Sequence, residues 1–288
     1  MKIVHNVAAM HRFADEVHQS GRRIGFVPTM GFLHAGHVSL MRIAREQTDV
    51  LVVSIFVNPT QFAPGEDFET YPRDFERDRS MVQAAGADCI YYPDVKEMYP
   101  DGYQTTVSVA EVTQNLCGLS RPTHFDGVST VVAKLFNAVK PNCAVFGQKD
   151  FQQLAVIKRM VKDLNMDIDI IGAPIVRETD GIAMSSRNKN LSPEERAAAR
   201  SLSRALEVVK SSVLAGERSV SVLVAMASDI ISAEAFGRID YIKVCDTETL
   251  QDVKRLDREA VMALAVFFEK ARLIDNAVLC VDEHCNGN

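Results

Sequence analysis

The sequence predicts an α/β protein: a doubly wound, Rossmann-like parallel sheet domain over residues 1–176, then a smaller α+β C-terminal domain over 177–288 that closes over the active site. Three observations predict it. Apolar runs without alternation recur through the first part, helical stripes stand between them, and the style of the chain changes near residue 176.

The runs RIGFVPTM (23–30) and DVLVVSIFV (49–57) are apolar on both parities, the pattern of strands covered on two faces, as in a parallel sheet. Between them, AGHVSLMRIAREQ sets Leu40, Met41 and Ala44 against Arg42, Arg45 and Glu46 at helical spacing, which completes a strand–helix–strand unit. The pattern then repeats. VSTVVAKLFNAV puts Val128, Val131, Val132, Leu135, Phe136 and Val139 on one helical stripe. CAVFG (143–147) follows as strand, FQQLAVIKRMVKDL (151–164) as helix and IDIIGAPIV (168–176) as strand. A sheet wound this way opens its ligand crevice at the carboxyl ends of the strands.

The second part opens on LSPEERAAARSLSRALEVVKSSVLAGE. Ser192 is placed as N-cap, Pro193 at the first helical position and Glu195 as the return half of a capping box, with Gly216 to end the helix. A further helix is expected around 219–234, and short strands near 240–245, 260–268 and 276–281.

Composition narrows the function. A net charge of −6 argues against a nucleic-acid partner, whose binding needs a basic face, yet leaves room for a small anionic ligand in a local pocket. No run reaches the roughly 18 apolar residues of a membrane span. The N-terminal apolar run is too short for a signal peptide and carries Asp15 and Glu16 early. The six cysteines have no CxxC spacing, and Cys89 and Cys143 read as buried thiols, which suits a reducing compartment. A soluble cytoplasmic protein with no membrane partner is expected. Cys280, His284 and Cys285 have the residue types of a metal clip, but a frayed terminus is the plainer reading.

Four polar clusters fall just after predicted strands. In VPTMGFLHAGHVSL (27–40), Met30 and Gly31 end a strand and Gly36-His37 begin a helix. Helix N-terminal N–H groups favour an anion, and a glycine there lets a phosphate approach the backbone. A histidine at that end is disfavoured as a cation and serves as a neutral N–H donor. In FVNPTQF (56–62), Gln61 offers an amide that orients a carboxylate without neutralising it, with Asn58 beside it. In VFGQKDFQQ (145–153), Gly147 allows a tight turn and Lys149 supplies a point charge for phosphates. Asp150 with Gln153 also has capping-box spacing, so a purely structural account of Asp150 stands equally. In RETDGIAMSSRN (177–188), Ser185, Ser186 and Arg187 lie on a loop between the two parts, able to close over a triphosphate.

The segment His34-Ala35-Gly36-His37 resembles the HIGH motif of the class I aminoacyl-tRNA synthetase and nucleotidylyltransferase superfamily, and MSSR resembles its KMSKS loop. Taken with VSIFVNPTQF, YPR, RPTHFDGV, FGQKDFQQ and DGIAMSSRN in order, the chain resembles the pantothenate synthetase (pantoate–β-alanine ligase) family, closely over about 24–190 and more loosely beyond, mainly in ARLIDN (271–276). The resemblance implies ATP-dependent condensation of pantoate with β-alanine through a pantoyl adenylate. It implies His37, His34 and Lys149 as catalytic. It implies an ATP site of Met30, Gly31, Phe32, Leu33, His34, Ala35, Gly36, His37, Gly147, Gln148, Lys149, Asp150, Val176, Met184, Ser185, Ser186 and Arg187. Gln61 and Gln153 would hold the substrates, with Asn58 and His124 as weaker candidates. Mg2+ would accompany the nucleotide, its protein ligands unassigned, with Asp78 and Asp150 as possibilities. A homodimer is expected from the family alone. Two positions depart from the family's pattern: Thr60 stands where methionine is frequent, at the expected pantoate wall, and Gln148 where glutamate is usual. A nucleotidylyltransferase acting on a phosphorylated acceptor is the alternative, and an RNA-binding remnant of a synthetase a more distant one.

Overall fold

The structure is a computed structural model that describes residues 1–63, 65, 66 and 68–281; His284 and Cys285 lie outside the described residues. Six strands form a parallel sheet, β1 (Lys2–Val4), β2 (Ile24–Thr29), β3 (Val50–Ile55), β4 (Cys89–Tyr91), β5 (Cys143–Gly147) and β6 (Asp169–Ala173), in the order β1-β4-β3-β2-β5-β6. Helices α1 (Val7–Gln19), α2 (Ala35–Gln47), α3 (Phe75–Ala84), α4 (Val95–Met98), α5 (Cys117–Ser120), α6 (His124–Val139) and α7 (Phe151–Asp163) connect them. The remainder is α8 (Pro193–Leu214), α9 (Val220–Ser232) and an antiparallel sheet of β7 (Arg238–Asp246), β8 (Ala260–Phe267) and β9 (Arg272–Leu279). The fold is therefore the expected doubly wound parallel sheet with a small α+β part.

The unbroken apolar strands follow from burial on both faces. Ile24 and Phe26 of β2 pack with Met10, Ala14 and Val17 of α1 and with the α6 stripe, while Val27 faces Met41 and Ala44 of α2. Beyond residue 182, α8, α9 and one face of the small sheet enclose a second core, and the other face (Cys245, Val261, Ala263) joins the first. Ser192 and Glu195 form the reciprocal cap of α8, and Gly216, at φ +104°, follows its end. Among the described residues no helix is long and apolar enough to cross a membrane.

One feature of the sheet positions the site. β2 pairs with β5 only through Gly25–Cys143 and Phe26–Ala144, although both strands run three residues further. Their carboxyl ends therefore part, and Pro28, which has no N–H for a ladder, stands in the stretch where they have separated. The crevice lies there, at the point where the strand order reverses.

Candidate active site

A cavity of about 240 Å3 opens between the parted strand ends, lined by Met30, His34, Gly36, His37, Asn58, Gln61, Gly147, Lys149, Asp150, Gln153, Val176 and Met184–Arg187. It shares Lys149, Asp150, Gln153 and Ser185–Arg187 with a cavity of about 820 Å3 lined by β8 and β9 of the small sheet. All four polar clusters thus reach one cleft.

The two imidazoles lie 4.0 Å apart, centroid to centroid, at the start of α2. The backbone N–H of His34 donates to Nδ1 of His37 at 3.2 Å. That acceptor role leaves the proton of a neutral ring on Nε2. Burial, then His34 and Lys149, pulls His37 down to about 3. Burial, then Lys149, pulls His34 down to about 4. Both rings are therefore neutral N–H donors at pH 7. Nδ1 of His34 is buried with no hydrogen-bond partner among the described residues, so this end of the cleft keeps an unspent polar atom. The N–H of Gly36, in the first turn of α2, rests against Sδ of Met184 at 3.2 Å.

Gln61 is buried, and its amide is oriented by a chain of contacts. The carbonyl of Gly127, which can only accept, takes Nδ2 of Asn58 at 3.0 Å. Nδ2 also meets Oε1 of Gln61 at 3.2 Å, so the Gln61 NH2 turns toward Sδ of Met30, 2.8 Å away, and the cleft. On the other side Oδ1 of Asn58 accepts Tyr99 Oη at 2.8 Å and Thr60 Oγ1 at 3.0 Å. A Cβ on Gly127 would lie 2.5 Å from the Thr60 carbonyl, so only glycine lets α6 approach this turn. The α6 stripe has a second use: Val128, Val131, Val132 and Leu135 form the apolar wall of the cleft.

Several of the expected residues stand away from the wall of the smaller cavity. Thr60 does not line the cleft; it stands behind Asn58 in the Tyr99 network. Gln148 does not line the smaller cavity either, because its side chain packs over Gly172. Gly31, Phe32, Leu33 and Ala35 are likewise absent from that wall. For Phe32 and Leu33 the Asp78 carboxylate accepts both backbone N–H groups at 2.7 Å, and Leu33 packs into the core. Asp78 is thus engaged in a loop clamp and lines a different cavity. Asp150 makes no side-chain cap to α7, which removes the capping-box account. Its carboxylate lies 3.8 Å from Lys149 Nζ. His124 lines only the larger cavity, where Nδ1–H donates to the Gln61 carbonyl at 2.9 Å. Gln152, beside Gln153, is fully engaged by Val112, Asn115 and Cys117 and serves the fold.

The profile of the pantoate-beta-alanine ligase family matches residues 2–278. The chain belongs to that family. The pantothenate synthetase of Syntrophus aciditrophicus is 56% identical over 96% of this chain and 97% of its own. That of Geotalea uraniireducens is 55% identical over 98% of this chain and all of its own. The crystal structure of pantothenate synthetase from Thermus thermophilus superposes with a TM-score of 0.91 at 44% identity, covering 96% of this chain and 99% of that one. The pantoate-beta-alanine ligase of Francisella tularensis, complexed with beta-gamma ATP and beta-alanine, gives 0.77 at 34% identity over 96% and 97%. The match to this family runs across both cores, so the small sheet belongs to it as much as the large one does.

Proposed function

We propose that this chain is a pantoate–β-alanine ligase that forms pantothenate, AMP and pyrophosphate. One observation carries the reading: neutral N–H donors at a helix N-terminus share a cleft with an amide pair and an apolar wall. A pantoate carboxylate oxygen attacks the α-phosphorus of ATP and pyrophosphate leaves. The β-alanine amine then attacks the activated carbonyl, AMP departs with that oxygen, and the amine's proton is released.

Each residue's part follows from its chemistry. The Gln61 NH2 holds the carboxylate without the strong neutralisation an arginine would bring. Val128, Val131 and Val132 suit the two methyl groups of pantoate. Nε2–H of His37 and Nζ of Lys149 stabilise charge growing on the phosphates, and Ser185, Ser186 and Arg187 close over them. No cysteine or serine need act as a nucleophile; rate comes from positioning and electrostatics. The Francisella relative, complexed with a nucleotide and β-alanine, supports a cleft that takes both.

Mg2+ is part of the proposal. Among the described residues Asp150 is the one carboxylate on the smaller cavity, and no cluster of three metal-ligating side chains occurs. That fits an ion carried mainly by phosphate and water oxygens, which Mg2+ prefers. When bound it would screen the triphosphate charge. A cytoplasmic homodimer completes the reading and rests on the family resemblance and on cysteine usage.

Pantoate labelled with 18O in its carboxylate tests the sequence of bonds. One labelled oxygen should appear in AMP and pantothenate should form. Unlabelled AMP, or an adenylylated product without amide, would overturn the proposal and favour the nucleotidylyltransferase alternative.

A further inference from the structure

Two consecutive residues of β9, Asp275 and Asn276, sit in the small domain yet hold both phosphate-facing segments of the cleft. Asn276 is buried, and its Nδ2 donates to the carbonyls of Gln148 and Lys149, each at 2.9 Å. Both hydrogens of one amide are thus spent on the turn that carries Lys149. Asp275, equally buried, takes Arg177 in a two-point pair at 2.7 and 3.1 Å. Arg177 passes its other contact to the Gly181 carbonyl at 3.1 Å, at the root of the loop that leads to Ser185–Arg187. The backbone N–H of Asn276 closes the unit on Oδ1 of Asp275 at 2.8 Å.

We infer that Asn276 is a positioning residue for nucleotide binding, acting through the main chain of Lys149, with Asp275 and Arg177 setting the matching loop. This rests on the proposed function only in taking ATP as the phosphate ligand. The turn needs such a tether. It leaves β5 at Gly147, where a Cβ would meet no atom within 4 Å. A displacement of an ångström at a charged group costs orders of magnitude in a preorganised site. Both hydrogens of its amide go to backbone carbonyls of the turn, so its effect is indirect.

The test compares Asn276→Ala and the isosteric Asn276→Asp with Asn115→Ala in the full-length protein. Asn115 also bridges the two parts, through Lys243, Asp252 and the Leu250 carbonyl, but touches neither phosphate segment. Calorimetric Kd for ATP should rise about tenfold in both Asn276 variants, the scale of losing two neutral hydrogen bonds. The KM for pantoate should stay within about twofold, and Asn115→Ala should change neither. Equal loss for both substrates, loss in Asn115→Ala as well, or Asn276 variants that fail to fold while Asn115→Ala folds, would overturn the assignment and make Asn276 a general fold contact. A wild-type protein that binds ATP but makes no pantothenate would sink the proposed function and leave the tether intact.

Discussion

His34 presents its backbone N–H to Nδ1 of His37 at 3.2 Å, and this contact decides which nitrogen of His37 faces the cleft with a proton. The ring works as a donor because it is neutral, not because it is acidic. His37→Ala should lower turnover by roughly a hundredfold or more, the scale of losing an oxyanion donor, with the circular dichroism spectrum unchanged. Undiminished turnover in the folded variant would remove His37 from the mechanism.

Three histidines are held neutral by folding. Burial pulls His34 and His124 to about 4 and His37 to about 3, from an ordinary value of 6.5. Below pH 6.5 the unfolded chain takes up protons on these rings and the folded chain does not. Stability therefore rises with pH, and it is lost as pH falls from 6.5 toward about 4. Unfolding at pH 5 should take up about three protons from these rings, measured from the pH dependence of the urea transition. Carboxylates ordinarily titrate lower, near 4.5 for a glutamate such as Glu66, so histidine dominates the window from 6.5 to 5. A flat profile across it would contradict the burial of these rings.

Lys149 and Gln61 line the same cleft. Lys149→Ala should raise the KM for ATP by about tenfold while pantoate KM changes little. Gln61→Ala should do the reverse. Steady-state kinetics with each substrate varied in turn gives the ordering, and an inverted result would mean that phosphate and acid ends have been exchanged.

The Tyr99 hydroxyl fixes Asn58 and through it the Gln61 amide. Tyr99→Phe should raise pantoate KM about fivefold, the worth of one hydrogen bond, and leave ATP KM unchanged. Thr60→Val should do the same more weakly. Equal effects on both substrates would show that the network serves the fold instead.

Much of this was legible in the residues. The strand runs 23–30 and 49–57 announced two-sided burial, and the capping box at Ser192 announced α8. Other parts were written too briefly. β1 and β4 have three residues each and carry no periodic signal. The Met10, Ala14, Val17 stripe of α1 does have helical spacing, but three buried positions in a helix of 13 residues make a faint pattern. At the site, neighbouring side chains of one type proved opposite in use: Gln153 faces the cleft and Gln152 is buried in the fold, a difference set by helix phase. Phe32 and Leu33 lie inside a motif, yet Asp78, more than forty positions away, accepts both their backbone N–H groups. The roles of Asp78, Tyr99 and Asn276 depend on pairings between distant segments, and no local spacing records those.

The most direct test is pyrophosphate release from ATP and pantoate before any β-alanine is supplied. An adenylate formed first predicts a burst of about one pyrophosphate per cleft, after which β-alanine restarts steady release with pantothenate formed in equal amount. Absence of pyrophosphate until β-alanine is present would contradict that order of steps, and with it the division of the cleft into a phosphate end and an acid end.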